Sequence, residues 1–273
     1  MDAYPHDSTH AGPAPGPARP SGWQKLKKAL VPFAAVGYLL VKFKAVLFGV
    51  LKFLPVLLKT GGSMFVSIWF YALSWGWWFA LGFVLLIFVH ECGHLVAARR
   101  LGLKVGAPVF IPFMGAFIAL KEAPKNAWVE AQVGIGGPLL GTAGAALCFV
   151  IYLLTGHRLF SALTYTGFFL NLFNLAPVGF LDGGRVATAL SPWLWMIGIA
   201  VIGYLMVTHF SFILLFIFVC SLPRVISLFR RKTDEEIRYF EVTPNQRWIM
   251  AMLYFGLVAF LVLGMKLSHV RPI

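Results

Sequence analysis

Acidic residues are scarce: the 273-residue chain has ten Asp and Glu against 23 Lys and Arg, for a net charge of +13. Charged residues of both signs make up 12% while 59% are hydrophobic, and the mean hydropathy is +0.81. That leaves too little polar surface to cover a soluble globule of one or two domains, so the chain reads as a polytopic membrane protein. Cysteine is nearly absent. Cys92, Cys148 and Cys220 fall inside apolar segments without metal-finger or disulfide spacing and read as reduced packing residues. No internal repeat is visible. No cleavable signal peptide is expected, because the first apolar stretch follows a proline-rich tail and is interrupted by lysines. The excess of positive charge does not argue for nucleic acid, since the basic residues are dispersed between apolar runs and belong to no soluble domain.

Seven apolar runs are present: Met64–Ser74, Trp77–Ala98, Val129–Leu154, Ser161–Ala176, Trp193–Val207, Phe210–Leu228 and Trp248–Leu267. Several fall short of the roughly 20 residues a full crossing needs, which points to tilted, broken or re-entrant segments among them. The fold class expected is an all-α polytopic membrane protein of about six to seven transmembrane helices. If the amino terminus is cytoplasmic and every run crosses, only Arg158, Lys266 and Arg271 lie outside, and the other 20 of the 23 basic residues face the cytoplasm. The positive-inside rule prefers that arrangement, and a cell-membrane location with a cytoplasmic amino terminus follows from it.

Residues 1–22, rich in Pro, Ala and Gly, cannot bury a core and are expected to form a disordered tail. Residues 23–62 interleave apolar residues with Lys25, Lys27, Lys28, Lys42, Lys44, Lys52 and Lys59. They read as an interfacial amphipathic segment on anionic lipid or as a first span with snorkelling lysines. Residues 63–273 then form the membrane domain. Within it, Val105–Leu120 is apolar, punctuated by Gly and Pro, and too short to cross as a helix. It reads as a re-entrant strand or hairpin, whose edge could take a substrate as an added strand, or as a plain surface loop. Gly134 to Ala146 give a helix with a small-residue face. Lys232 to Glu241 read as a solvated charged connection.

The run beginning near Phe79 ends in His90-Glu91-Cys92-Gly93-His94, placing two imidazoles and a carboxylate where hydrocarbon should be. Such groups cost about 2.5–3.5 kcal/mol each on insertion scales, so they mark function rather than packing. On a helix the two histidines lie about 40° apart and roughly 6 Å along the axis, on one face. Both can reach one metal ion, for which zinc is the natural choice, and Glu91 can stand beside an activated water as general base. Cys92 projects about 200° from His90 and cannot share that face.

A zinc site of this kind wants a third protein ligand. Of the ten acids only Glu91 and Asp182 sit deep among apolar neighbours, and Asp182 follows a break, Asn174-Leu-Ala-Pro177-Val-Gly-Phe-Leu-Asp182-Gly183-Gly184, that frees the backbone to turn. Asp182 is the leading candidate, with His157, His209, Glu122 and Glu130 as rivals and a helix N-cap as its alternative role. The rival histidines fall in connections expected on the side opposite His94, and the glutamates lie near the cytoplasmic border.

His-Glu-x-x-His on one apolar helix, followed by Asn174, Pro177, Asp182 and Gly183 on a later one, resembles the site-2 protease family of intramembrane zinc metalloproteases. The resemblance covers about residues 79–188, loosely including Gly137-Pro138. It implies one zinc held by His90, His94 and Asp182, Glu91 as base and later proton donor, and Asn174 as a residue that helps hold the substrate or polarise its carbonyl. It implies cleavage of a transmembrane segment of another membrane protein, the regulated intramembrane proteolysis of that family. A PDZ or CBS domain, carried by many family members, is not expected within this chain. A metal-ion transporter and a catalytically inactive membrane adaptor are the rival functions.

Overall fold

A computed structural model of the protein describes Lys42, Lys44, residues 60–112 and residues 115–268. The chain divides into a unit of residues 1–55 and one of residues 56–273, and every helix and strand with described bounds belongs to the second. The expected tail and lysine-rich segment fall outside the described residues, apart from Lys42, Lys44 and the last three positions, which open the first helix. The elements run α1 (Thr60–Trp75), α2 (Trp77–Arg100), β1 (Val105–Ile111), β2 (Gly115–Leu120), α3 (Ala127–Thr155), α4 (Arg158–Asn174), α5 (Asp182–Leu190), α6 (Leu194–Thr208), α7 (Phe212–Ser227), α8 (Asp234–Tyr239) and α9 (Pro244–Ser268).

The protein is an α-helical membrane protein. Among the described residues α2, α3 and α9, of 24, 29 and 25 residues, are long and apolar enough to cross a bilayer, whereas α6 and α7 are apolar but shorter. Of the expected six to seven crossings, three are thus matched by helices of spanning length among the described residues, and the other apolar runs form shorter helices because the chain repeatedly interrupts them. Gly76, at φ 79°, separates α1 from α2, a conformation that favours glycine. The Ser161–Ala176 run stops as α4 at Asn174, since Pro177 has no N–H to continue the ladder and Gly179 turns the chain at φ 46°. Tyr254 on α9 donates its hydroxyl to the Leu175 carbonyl, 2.5 Å away, inside this break.

α2 buries a stripe at Ala80, Phe83, Val84, Ile87, His90, Glu91, His94 and Ala98, a spacing of three and four residues. α3 takes that stripe and also packs on α4 and α5. The approach is close because glycines meet: a Cβ on Gly93 or on Gly136 would overlap the other's backbone. The Asn126 side chain caps α3 by accepting the Val129 N–H at 2.9 Å, and Glu130 sits in its first turn, where the helix dipole favours an anion. Ala131, Ile135, Ala145, Phe168, Leu175, Val186, Met250, Tyr254, Leu257 and Leu261 form one core joining α3, α4, α5 and α9.

β1 and β2 form an antiparallel hairpin pairing Ile111 with Gly115 and Val109 with Phe117, with an irregularity between Val105 and Pro108. Of the two readings of Val105–Leu120 the structure takes the hairpin rather than the loop. Ser63 of α1 accepts the Phe110 N–H at 3.1 Å and ties the hairpin to the first helix. The Lys232–Glu241 connection, expected as a plain solvated loop, contains α8. Thr233 and Glu236 cap each other's backbone there, a capping box that starts a helix even in a short charged segment.

Candidate metal centre

His90 and His94 project one turn apart from α2, and α5 begins opposite them with Asp182 as its first residue. The two Nε2 atoms lie 3.1 Å apart. The Asp182 carboxylate faces both, Oδ2 at 3.1 Å from His90 Nε2 and Oδ1 at 3.2 Å from His94 Nε2, with all three side chains buried. The N-cap position of α5 falls on Leu181, which offers no side-chain cap, so the Asp182 carboxylate is directed at the histidines rather than at its own helix.

The opposite ring nitrogens decide the tautomers. His90 Nδ1 donates to Asn171 Oδ1 at 2.8 Å, and His94 Nδ1 donates to the Val133 carbonyl at 2.8 Å. Asn171 Nδ2 in turn donates to the Gly167 carbonyl at 2.7 Å, which turns the amide so that its oxygen meets His90. With both Nδ1 atoms protonated, each Nε2 presents a lone pair, and two lone pairs and a carboxylate converge with no proton between them. Such an arrangement asks for a cation. Zinc bonds of about 2.0 Å in a tetrahedron put neighbouring ligands about 3.3 Å apart, close to the spacings found. The second-layer hydrogen bonds are those that orient metal-binding imidazoles. Glu91 is buried beside the histidines, and a carboxylate oxygen of it lies within 4.8 Å of ligand nitrogens of both.

The glycines of α3 make this geometry fit. A Cβ on Gly137 would overlap the His94 ring, and one on Gly141 would overlap the Asn171 amide. The small face read from sequence as packing thus also leaves space for the His94 ring and for the Asn171 amide that accepts from His90.

The site opens into a cavity of about 700 Å³ lined by His90, Glu91, His94, Asp182, strand β2 and apolar side chains of α7. Asn174 lies on its wall, donating to the Leu170 carbonyl at 3.0 Å. The rival ligands are engaged elsewhere. His157 caps α4, His209 ends α6 as an exposed residue, Glu122 pairs with Lys104 at 2.8 Å, and Glu130 pairs with Arg224 at 2.9 Å. Sequence reasoning missed Asn171, although an asparagine inside an apolar helix one turn before Asn174 was a visible signal.

Residues 78–166 match the family model described as Peptidase family M50, a region that holds the histidine motif and ends before Asn171 and Asp182. The chain is 31% identical over 124 residues to Zinc metalloprotease MJ0392 of Methanocaldococcus jannaschii, which covers 44% of this chain and 35% of that one. It is 26% identical over 152 residues to Probable zinc metalloprotease EGY2, chloroplastic, of Arabidopsis thaliana, covering 40% of this chain and 27% of the relative. The protein of that name in Oryza sativa subsp. indica is 28% identical over 152 residues, covering 38% and 27%. The chain thus spans about a third or less of the length of these curated relatives. Over the segment that carries the histidine motif the chain is thus similar to peptidase family M50, the site-2 protease family, and to relatives named as zinc metalloproteases.

Proposed function

We propose that the protein is an intramembrane zinc endopeptidase that hydrolyses a peptide bond within a transmembrane segment of another protein, the step called regulated intramembrane proteolysis. The observation that carries this reading is the buried convergence of His90, His94 and Asp182, with Glu91 beside them, on a cavity bordered by a strand. Zinc is supported by the donor set of two neutral imidazoles and a carboxylate, and by the names of the relatives.

His90, His94 and Asp182 would hold the ion, while Asn171 and the Val133 carbonyl keep both imidazoles in the binding tautomer. When bound, the metal supplies Lewis-acid polarisation of the scissile carbonyl and makes water acidic enough to deprotonate near neutral pH. Glu91 accepts the proton of the attacking water and delivers it to the leaving amine. A helix hides its amides, so the substrate must be extended at the site. The edge of β2, on the cavity wall, offers backbone groups to hold it that way. Asn174, which lines the same cavity, would hold a backbone group of the same segment or polarise its carbonyl. The distribution of basic residues supports a cytoplasmic amino terminus in the cell membrane, with lipid and a membrane-protein substrate as partners.

The test is Glu91→Gln in full-length protein reconstituted with a transmembrane reporter that the parent cleaves. The variant keeps parental zinc and loses turnover by about 10² or more. Unchanged turnover would overturn the protease reading, and metal transport or an adaptor role would survive the substitution.

A further inference from the structure

A second polar cluster lies close to the metal site without touching it. Glu130, in the first turn of α3 and 12% exposed in its side chain, accepts from Arg224 Nη2 at 2.9 Å and from the Tyr239 hydroxyl at 2.8 Å. Arg224, in the last turn of α7, uses Nη1 to donate to the Gly184 carbonyl at 3.1 Å. Trp195 of α6 donates its Nε1 to the same carbonyl at 2.9 Å, and the Arg224 guanidinium lies 5.3 Å from the Trp195 ring centroid. One carbonyl, two residues beyond Asp182, therefore receives side-chain donors from two other helices. A helix carbonyl ordinarily needs only the N–H four residues on.

We propose that Arg224 is a positioning residue for the metal site: anchored by Glu130, it fixes the Gly184 carbonyl and through it the first turn of α5, which aims Asp182 at the two histidines. α5 has nine residues and no side-chain N-cap, so its own sequence orients it weakly. On one side Gly183 and Gly184 rest against the Leu175–Gly179 break, where an added Cβ on either would overlap backbone carbonyls. α3 packs along the helix, with Gly134 against Asp182 and Arg185, and the Gly184 carbonyl is fixed from a further side by Arg224 and Trp195. Arginine suits the task because its planar fork serves two acceptors at fixed angles, here a carboxylate and a carbonyl. Burial and the neighbouring Glu130 carboxylate push the Tyr239 phenol above its ordinary value, so it stays a donor to Glu130.

The restraint also reaches the cavity wall. α6 and α7 pack chiefly on each other and meet the rest of the protein through α5, the Arg224–Glu130 pair, close contacts of Gly198 and Ser221 with the Pro177–Gly179 turn, and a small cluster of Val178, Leu181, Ile202 and Ile217. α7 lines the cavity with Phe212, Ile213, Phe216 and Ile217. Seating of this helix pair and alignment of Asp182 are thus one event with Arg224 as the joint. A second cavity of about 180 Å³, lined by Glu130, Arg185 and Arg224, shares Leu120, Val133, Phe180 and Arg185 with the larger one.

The inference rests on the metal site proposed above, and cobalt separates the two. Full-length protein in detergent is stripped of metal and titrated with Co²⁺, following affinity and the visible spectrum, which reports ligand geometry independently of turnover. Arg224→Ala is expected to bind about tenfold more weakly, the lower end for residues that orient ligands, with a changed spectrum and a melting temperature near the parent's. Arg224→Lys keeps the charge but not the fork and falls between. Arg230→Ala, which removes an exposed pair with Glu236, behaves as the parent. Trp195→Phe removes the other donor to Gly184 while keeping a ring, and shifts affinity and spectrum the same way if Arg224→Ala does not fold. Parental affinity and spectrum in a folded Arg224→Ala, or in Trp195→Phe where Arg224→Ala does not fold, would overturn the positioning role alone. A parent that takes up no cobalt would overturn the metal site itself.

Discussion

Gly137→Ala adds one methyl group and should damage the metal centre while leaving the fold intact. The His94 ring lies across Gly137, held there by its Nδ1 bond to the Val133 carbonyl one turn earlier on the same helix. Even the ring's Cδ2, the farthest of its three atoms nearest the new Cβ, is 2.7 Å away, against 3.4 Å for ordinary contact, so the ring must retreat by more than about 0.7 Å. That retreat strains the Nδ1 bond, worth about 1 kcal/mol, and takes Nε2 away from Asp182 and His90, now 3.2 and 3.1 Å distant. Overpacking of this kind costs about 1–3 kcal/mol. Zinc affinity should fall about 10- to 100-fold, or about 1.4–2.7 kcal/mol. Global stability should change little, because alanine favours a helix over glycine by about 1 kcal/mol. Zinc competition against a chelator, with melting in detergent alongside, reads both quantities. A variant holding zinc within twofold of the parent and cleaving normally would refute the reasoning.

Asn171→Ala removes the acceptor of His90 Nδ1, so zinc affinity should drop about 10- to 100-fold in the same competition assay, and Asn171→Asp, which restores an acceptor, should recover part of it. At the protein surface, the Thr233 backbone N–H and then the Arg230 guanidinium hold the Glu236 carboxyl below its ordinary value. A depressed folded value means that the support Glu236 gives to α8 is present above the ordinary carboxylate range and is lost as pH falls through the depressed value. The protection of the Thr233 amide, its observed exchange compared with the intrinsic rate at the same pH, should therefore fall on acidification, and Glu236→Gln should make that protection less dependent on pH in that range.

His90, Glu91 and His94 were legible because polar groups in an apolar helix are expensive and their spacing is fixed by helix geometry. Asp182 could be singled out for the first reason, but its meeting with α2 depends on how the Leu175–Leu181 break turns the chain, which no local pattern specifies. The hairpin was readable as an apolar stretch too short to cross, while its seat on Ser63 was not. Arg224 was invisible, since an arginine at the end of an apolar run looks like any membrane-border charge until Glu130, Gly184 and Trp195 surround it. α8 was missed although Thr233 and Glu236 stand at capping-box spacing. The number of crossings was the least secure reading, because apolar composition does not say where glycine and proline cut a run into shorter helices.

The proposed mechanism requires that two histidines on one turn of α2 and an aspartate distant in sequence hold one metal ion. The measurement that tests it most directly is zinc content by elemental analysis of the purified full chain in detergent, beside Asp182→Ala prepared identically. The account predicts about one zinc per chain in the parent, as three protein ligands with one open position imply, and clear loss in the variant. A zinc-free parent, or an Asp182→Ala protein that keeps the parent's zinc, would contradict it.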